Sequence, residues 1–255
     1  MNYLRNRVLN RELLAGTWLN LGSGMTAEIA ATAGFDWVVI DLEHGSGDHE
    51  SCLHQLQAVA GTPAAPIVRI AWNEAPRFKR VLDLGAAGIV VPYVTTAEEA
   101  RQAVAAMRYP PQGIRGTASL NRATDFGPGF NEYFATANDK LTTIVQVETE
   151  ETLEHVGEIA AIDGVDVLFV GPLDLSVTMG IPQEFDHPRF REALAKVSAA
   201  ALAGGKAAGI LLLSPDQIER TVADGYTFIG LGSDGGVIAS GMRHLADAFA
   251  PFRQR

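Results

Sequence analysis

The chain has 255 residues, a formal net charge of −10 and one cysteine, Cys52. A single cysteine excludes an internal disulfide and a Cys-based zinc site, and an acidic balance without a basic face argues against a general nucleic-acid binder. No stretch approaches the ~20 apolar residues of a membrane span and the N-terminus carries no signal-peptide pattern, so a cytoplasmic protein with neither membrane nor nucleic acid as partner is expected.

Hydrophobic residues make up 47% of the chain, enough to build one large core without staples, and a single domain over residues 1–255 is predicted. In chain order, short apolar runs alternate with Ala-rich helical patterns. Strand Ala15–Leu21 precedes helix Thr26–Ala33. Trp37–Asp41 precedes His49–Ala60, Pro66–Ile70 precedes Pro76–Leu84, and Gly88–Val91 precedes Ala97–Met107. After a long connection come Thr142–Val147 with Glu150–Ala160, Val165–Val170 with Pro188–Ala203, Ala207–Leu213 with Pro215–Ala223, and Thr227–Leu231 with Val237–Phe249. The strand runs are nearly continuous in apolar residues, as parallel strands covered on both faces require. Eight such alternations predict a (β/α)8 barrel, with an open doubly wound sheet as the alternative. Thr96 before Ala-Glu-Glu-Ala and Ser214 before Pro215 read as helix starts. The connection Arg108–Lys140, rich in Gly, Pro, Asn and Thr, is expected to leave the C-terminal end of strand 4 as a lid or binding loop.

A barrel of this kind carries its chemistry at the C-terminal strand ends. The polar residues there are Asp41, Glu43 and His44 after strand 2, Arg69 on strand 3, Gln146 and Glu148 on strand 5, Asp174 after strand 6, and Ser233 and Asp234 after strand 8. Alternation puts Thr142, Ile144, Gln146 and Glu148 on one face of strand 5. That face turns polar toward its C-terminal end, and a carboxylate buried there requires a metal, a cation or a proton. Each residue has a structural alternative: Glu148 as a helix-terminus acid, Asp174 as the cap of a short turn after strand 6, Arg69 in an ion pair, His44 in a surface cluster. Their convergence at one end favours a site. Two oxygen ligands from different strands suit Mg²⁺ or Mn²⁺ better than zinc. None of the four lysines, Lys79, Lys140, Lys196 and Lys206, ends a strand, which argues against Schiff-base chemistry.

These residues resemble the HpcH/HpaI aldolase family. The resemblance runs through Gly16–Ser23, Phe35–Gly45, Val68–Ile70, Gly85–Val94, Tyr109–Gly116, Asn121–Gly127, Gln146–Thr149, Phe169–Ser176 and the Gly-Leu-Gly-Ser-Asp-Gly-Gly segment after strand 8, in that order. It implies a class II aldolase that joins pyruvate to a short aldehyde and cleaves 4-hydroxy-2-keto acids. By that match, Glu148 and Asp174 bind a divalent metal (Mg²⁺, Mn²⁺ or Co²⁺), with no organic cofactor. Arg69 holds the keto oxygen of pyruvate. His44, oriented by Asp41, is the general base, acting through water. The segment Gly171, Pro172, Leu173, Asp174 receives the pyruvate carboxylate and Gln146 supports it, while Leu173 departs from the small or polar residue expected there. Trp18, Leu212 and the Arg115–Phe134 loop are expected to shape the aldehyde end. A homo-oligomer, often a hexamer, with the C-terminal helix on a neighbour is also implied. Oxaloacetate decarboxylation at the same site, a phosphate-binding barrel isomerase using the loop after strand 8, and a non-catalytic scaffold are the competing readings.

Overall fold

A computed structural model describes residues 2–253; Met1, Gln254 and Arg255, included in the domain expected over 1–255, lie outside the described residues. The elements are α1 (Arg5–Leu9), β1 (Leu14–Leu19), α2 (Gly24–Thr32), β2 (Trp37–Asp41), α3 (His49–Val59), β3 (Ala65–Arg69), α4 (Ala75–Asp83), β4 (Gly88–Val91), α5 (Ala97–Met107), α6 (Phe130–Lys140), β5 (Thr142–Val147), α7 (Glu150–Ala160), β6 (Val167–Val170), α8 (Pro172–Thr178), α9 (Pro188–Ala203), β7 (Ala207–Leu212), α10 (Ile218–Ala223), β8 (Phe228–Ser233) and α11 (Asp234–Asp247). The strands close in sequence order, β1 pairing with β8, and every pairing is parallel. No helix among the described residues is long and apolar enough to cross a membrane.

Two apolar layers follow from strand alternation. Val38, Ile40, Val68, Val145, Val147 and Leu168 point outward into the layer shared with the helices. Val39, Ile67, Ile144, Val167 and Phe169 point to the barrel axis. Large rings fill that axis: Trp37 stacks on Phe228 with centroids 4.2 Å apart, and Trp18 lies 5.2 Å from Phe169. A side chain on Gly16 would run into the Trp37 ring, so a strand glycine faces the largest interior residue. Below the rings, Leu4 and Val8 from the α1 region plug the barrel. Arg5 fastens the plug by donating to both carboxylate oxygens of Asp166, which also accepts the Thr143 N–H.

Three sequence expectations change. The Arg108–Lys140 connection is not a lid at the mouth. It follows α5, which has already carried the chain back to the N-terminal ends of the strands. There Arg122 donates to the carbonyls of Leu56 and Leu84, near the ends of α3 and α4, and Arg115 pairs with Asp83 at the end of α4. The same connection contains α6, and the turn after β6 is a helix, α8, begun by Pro172.

Candidate active site

At the C-terminal strand ends a guanidinium sits among carboxylates. Asp41 ends β2 and Arg69 ends β3, and the two are partners in the strand register. Arg69 Nε donates to Asp41 Oδ1 at 3.0 Å and Nη2 to Oδ2 at 2.7 Å, a bidentate pair with both residues buried. Asp41 Oδ1 also accepts the N–H groups of Glu43 and His44. This bends the chain back on itself, and a side chain at Gly45 would collide with the Asp41 carbonyl. Burial works to raise the Asp41 pKa, but Arg69 and the two amides outweigh it and hold the carboxyl below its usual range. The bend also delivers Glu43 to Arg69, with Nη1 to Oε2 at 2.9 Å. The contact lacks hydrogen-bond geometry, so Oε2 is buried without a hydrogen-bond partner. Burial pushes Glu43 up to about 7; Arg69 opposes the rise, while Asp41 and Asp174 add to it.

The second half of the site comes from β5 and α8. Glu148, one residue past β5, is buried. Its Oε1 accepts the Tyr93 backbone N–H at 2.7 Å, and its Oε2 accepts from Gln146 Nε2. Burial pushes Glu148 up to about 7; the Tyr93 amide opposes this, and the charges of Glu43 and Asp174 reinforce it. Gly171, before α8, lies so close that a Cβ there would meet Glu148 Oε2 at 3.3 Å and Gln146 Nε2 at 3.2 Å. Asp174 stands half-buried in the first turn of α8. Arg69 lies over the ring of Trp18, 5.9 Å from its centroid, so Trp18 floors the site.

The profile of the HpcH/HpaI aldolase/citrate lyase family matches residues 14–241. The chain belongs to this family. It is 42% identical over 239 residues to a 5-keto-4-deoxy-D-glucarate aldolase of Salmonella arizonae, covering 94% of this chain and 93% of that one. A protein of the same name from Shigella dysenteriae is 40% identical over 248 residues, covering 97% and 96%. A crystal structure of an HpcH/HpaI aldolase/citrate lyase family protein from Burkholderia cenocepacia superposes with a TM-score of 0.91 at 36% identity, covering 97% of this chain and 98% of that one.

In this HpcH/HpaI family member, several expected roles are redistributed. Asp41 does not orient the His44 imidazole, because Arg69 occupies both of its oxygens and only the His44 backbone reaches it. The imidazole is 65% exposed at the rim, and its nearest carboxylate is Glu43, with Nε2 3.8 Å from Oε1. Leu212 faces the outer, helix-side layer; Leu211 points inward instead, as alternation along β7 demands. Pro172 is half-buried at the start of α8, and Leu173 is 51% exposed, which leaves the α8 backbone beside Glu148 clear of its side chain. The Arg115–Phe134 segment lies at the opposite end, where it lines part of a cavity of about 890 Å³. After β8, two of the amides a phosphate would use are already taken: Gly235 N–H by Asp234 and Asn20, Gly236 N–H by Ser233. This counts against the isomerase reading.

Two contributors carried no role in the sequence reading. Glu43 was visible beside His44, but its approach to Arg69 depends on the bend. Tyr93 enters through its backbone N–H, to which side-chain type gives no clue. The donor set fits a divalent cation. Asp41, Glu43, Glu148 and Asp174 cluster around one guanidinium, that of Arg69, Glu43 Oε2 and Gln146 Oε1 are buried without hydrogen-bond partners, and burial together with the neighbouring carboxylates holds Glu148 toward neutrality. Among the described residues no three or more His, Cys, Asp or Glu side chains form a ready metal cage. Two carboxylates would therefore share the ion with non-protein ligands, as Mg²⁺-type ions prefer.

Proposed function

We propose that this chain is a divalent-metal-dependent aldolase that reversibly cleaves 4-hydroxy-2-keto acids to pyruvate and an aldehyde. The observation that carries this reading is the juxtaposition of Arg69 with the carboxylates of Asp41, Glu43, Glu148 and Asp174 at the strand ends. The named activity of the 5-keto-4-deoxy-D-glucarate aldolases supports a sugar-acid substrate. Numbered from its keto end, that compound is a 4-hydroxy-2-keto acid with a methylene at C3. Breaking C3–C4 releases pyruvate and a three-carbon hydroxylated aldehyde acid.

In cleavage, the C4 hydroxyl loses its proton to a base, the C3–C4 electron pair passes into the pyruvyl fragment as an enolate, and C3 then takes a proton. Glu148 and Asp174 would hold the cation, whose chemistry is Lewis-acid polarisation of the keto group. Arg69 N–H groups not engaged by Asp41 donate to the keto oxygen as its charge grows. Asp41 fixes that guanidinium through its paired bonds, and Gln146 fixes Glu148. First-turn N–H groups of α8, at Leu173 and Asp174, receive the pyruvate carboxylate. His44 takes the hydroxyl proton at the rim, where imidazole exchanges readily with solvent, and Glu43 stands beside it in the place expected for Asp41. Further copies of the chain pack on α11, whose described residues are exposed from Gly236 onward.

The test is pyruvate release from a panel of 4-hydroxy-2-keto acids with Mg²⁺, Mn²⁺, Co²⁺ or EDTA. Cleavage is expected to disappear with EDTA and return with metal, and Glu148→Gln should lower kcat/KM by about 100-fold or more. Full activity in metal-stripped enzyme would overturn the mechanism. A higher kcat/KM for oxaloacetate decarboxylation than for any cleavage would favour the decarboxylase reading.

A further inference from the structure

The side chains of Trp72 and Tyr93 have no part in the chemistry above, yet they stand at its edge. Trp72 comes three residues after Arg69 and Tyr93 two residues after β4, both at the mouth. Their ring centroids are 4.9 Å apart with planes tilted 31°. The barrel's other wide rings, Trp18, Trp37, Phe169 and Phe228, are buried, whereas Trp72 is 48% and Tyr93 39% exposed. Packing therefore does not explain the pair, because much of its aromatic surface is exposed.

The backbone under the pair is held firmly. Tyr93 adopts φ 52°, a left-handed conformation that is uncommon for a bulky side chain and carries a local cost. That conformation aims its N–H at Glu148 Oε1, so one residue both steadies Glu148 and carries a phenol at the rim. Just beyond, Glu99 Oε2 accepts the Thr95 N–H, the Thr95 hydroxyl and the Thr96 N–H. On the other side the Trp72 carbonyl accepts the Glu74 N–H, and Asn73 donates to the Glu99 carbonyl. The two rim loops are thereby tied to one another through Glu99. A wall fixed in advance loses little freedom when a ligand settles on it.

We propose that Trp72 and Tyr93 form the wall for the aldehyde half of the substrate and select an aldehyde half that carries a further hydroxyl group. The assignment rests on the aldolase reading and deepens it. Arg69, Glu148 and Asp174 meet the pyruvyl half deep in the mouth, so the remaining carbon chain must extend toward the rim. Indole and phenol present an apolar body with a polar tip, which matches a carbon chain bearing hydroxyls. The charges of Glu148, Glu43, Asp174 and Arg69 bear on the Tyr93 phenol, so neutral donors on this wall suit a hydroxyl without adding to the negative charge. A site that hydrogen-bonds a substrate hydroxyl discriminates against the analogue lacking it, because its own polar groups are then left unpaired.

The test compares 4,5-dihydroxy-2-oxopentanoate with 4-hydroxy-2-oxopentanoate, which differ by one hydroxyl in the aldehyde half. The readout is the ratio of their kcat/KM values in wild type, Tyr93→Phe and Trp72→Phe, so that any general loss of active enzyme cancels. The wild type is expected to prefer the dihydroxy acid, and Tyr93→Phe to reduce that preference about tenfold, chiefly through KM, with Trp72→Phe shifting it the same way. A ratio within twofold of wild type in both variants overturns the wall. Exchange of the pyruvate methyl protons for deuterium by wild-type enzyme, which needs no aldehyde, separates the two readings. Exchange with an unmoved ratio sinks the wall alone, while wild type that neither exchanges nor cleaves sinks the aldolase reading and the wall with it.

Discussion

Asp41 shows how one side chain sets the others. Its carboxylate accepts two guanidinium bonds and two amide bonds, so it fixes Arg69 and shapes the bend that delivers Glu43. Its pKa lies below the usual carboxylate range, so the ionised form is favoured in the folded chain. The stabilisation is present above the unfolded value of about 4 and fades as pH falls through the folded value. Asp41→Asn should cost about 3 kcal/mol near pH 7, because a buried guanidinium loses its main partner while Glu43 still faces it. For a chain of this size that is a fall in Tm of about 6–12 °C. The gap between wild type and variant should hold above about pH 4 and narrow as pH falls below it in thermal melts; a gap that does not narrow anywhere below that value would show that ionised Asp41 is not the source. The same residue marks what the sequence disclosed. Asp41, Arg69, Gln146 and Glu148 were legible because strand alternation assigns them a direction. His44 and Glu43 lie past the strand end, where alternation no longer applies and the Asx-type bend decides. Leu212 was assigned to the mouth although it lies on the outward-facing parity of β7.

Among the elements, the Arg108–Lys140 connection differs most from expectation. Its composition is that of a loop, but composition does not say at which end of a barrel a loop lies. Direction does: each helix returns the chain to the opposite end, so a segment after α5 belongs with the strand starts. Arg115 locks it there. Its side chain is fully buried, paired to Asp83 at 2.7 Å, bonded to the Tyr133 hydroxyl and stacked 4.4 Å from the Tyr109 ring centroid. Arg115→Met should leave Asp83 and Tyr133 without their shared partner and remove a cation–π contact. The expected loss is about 3–5 kcal/mol, seen as a lower Tm or denaturant midpoint. A midpoint unchanged within about 0.5 kcal/mol would show that the connection is not anchored through Arg115. The strands themselves were read nearly to the residue, since continuous apolar runs between helices admit few alternatives. The α1 plug escaped because five helical residues carry too little periodicity to register.

At the scale of the whole molecule, α11 is the unfinished part. It begins firmly: Asp234 accepts the Asn20 and Gly235 N–H groups and the Thr26 hydroxyl. Beyond Gly236 it leaves the barrel wall, exposing Val237, Ile238, Met242 and Leu245, and Phe249 just past its end is exposed too. On α2, Met25 and Ile29 are more than 60% exposed as well. Exposed apolar surface of this extent marks an interaction site rather than a solvated face. Because α11 and α2 touch, a second copy can lay its own α11 against the same region, with each chain offering the same surfaces to the other. Replacing Val237 and Met242 by Glu, or Leu245 and Phe249 by Glu, puts charge on that face without touching the residues at the barrel mouth. Wild type should sediment as a homo-oligomer at micromolar concentration, and each double variant should shift toward monomer while keeping its barrel circular-dichroism signal. A wild type that sediments at 27.2 kDa would leave α11 without a partner and overturn self-association. Oligomeric variants with unchanged mass would move the contact to another face of the barrel.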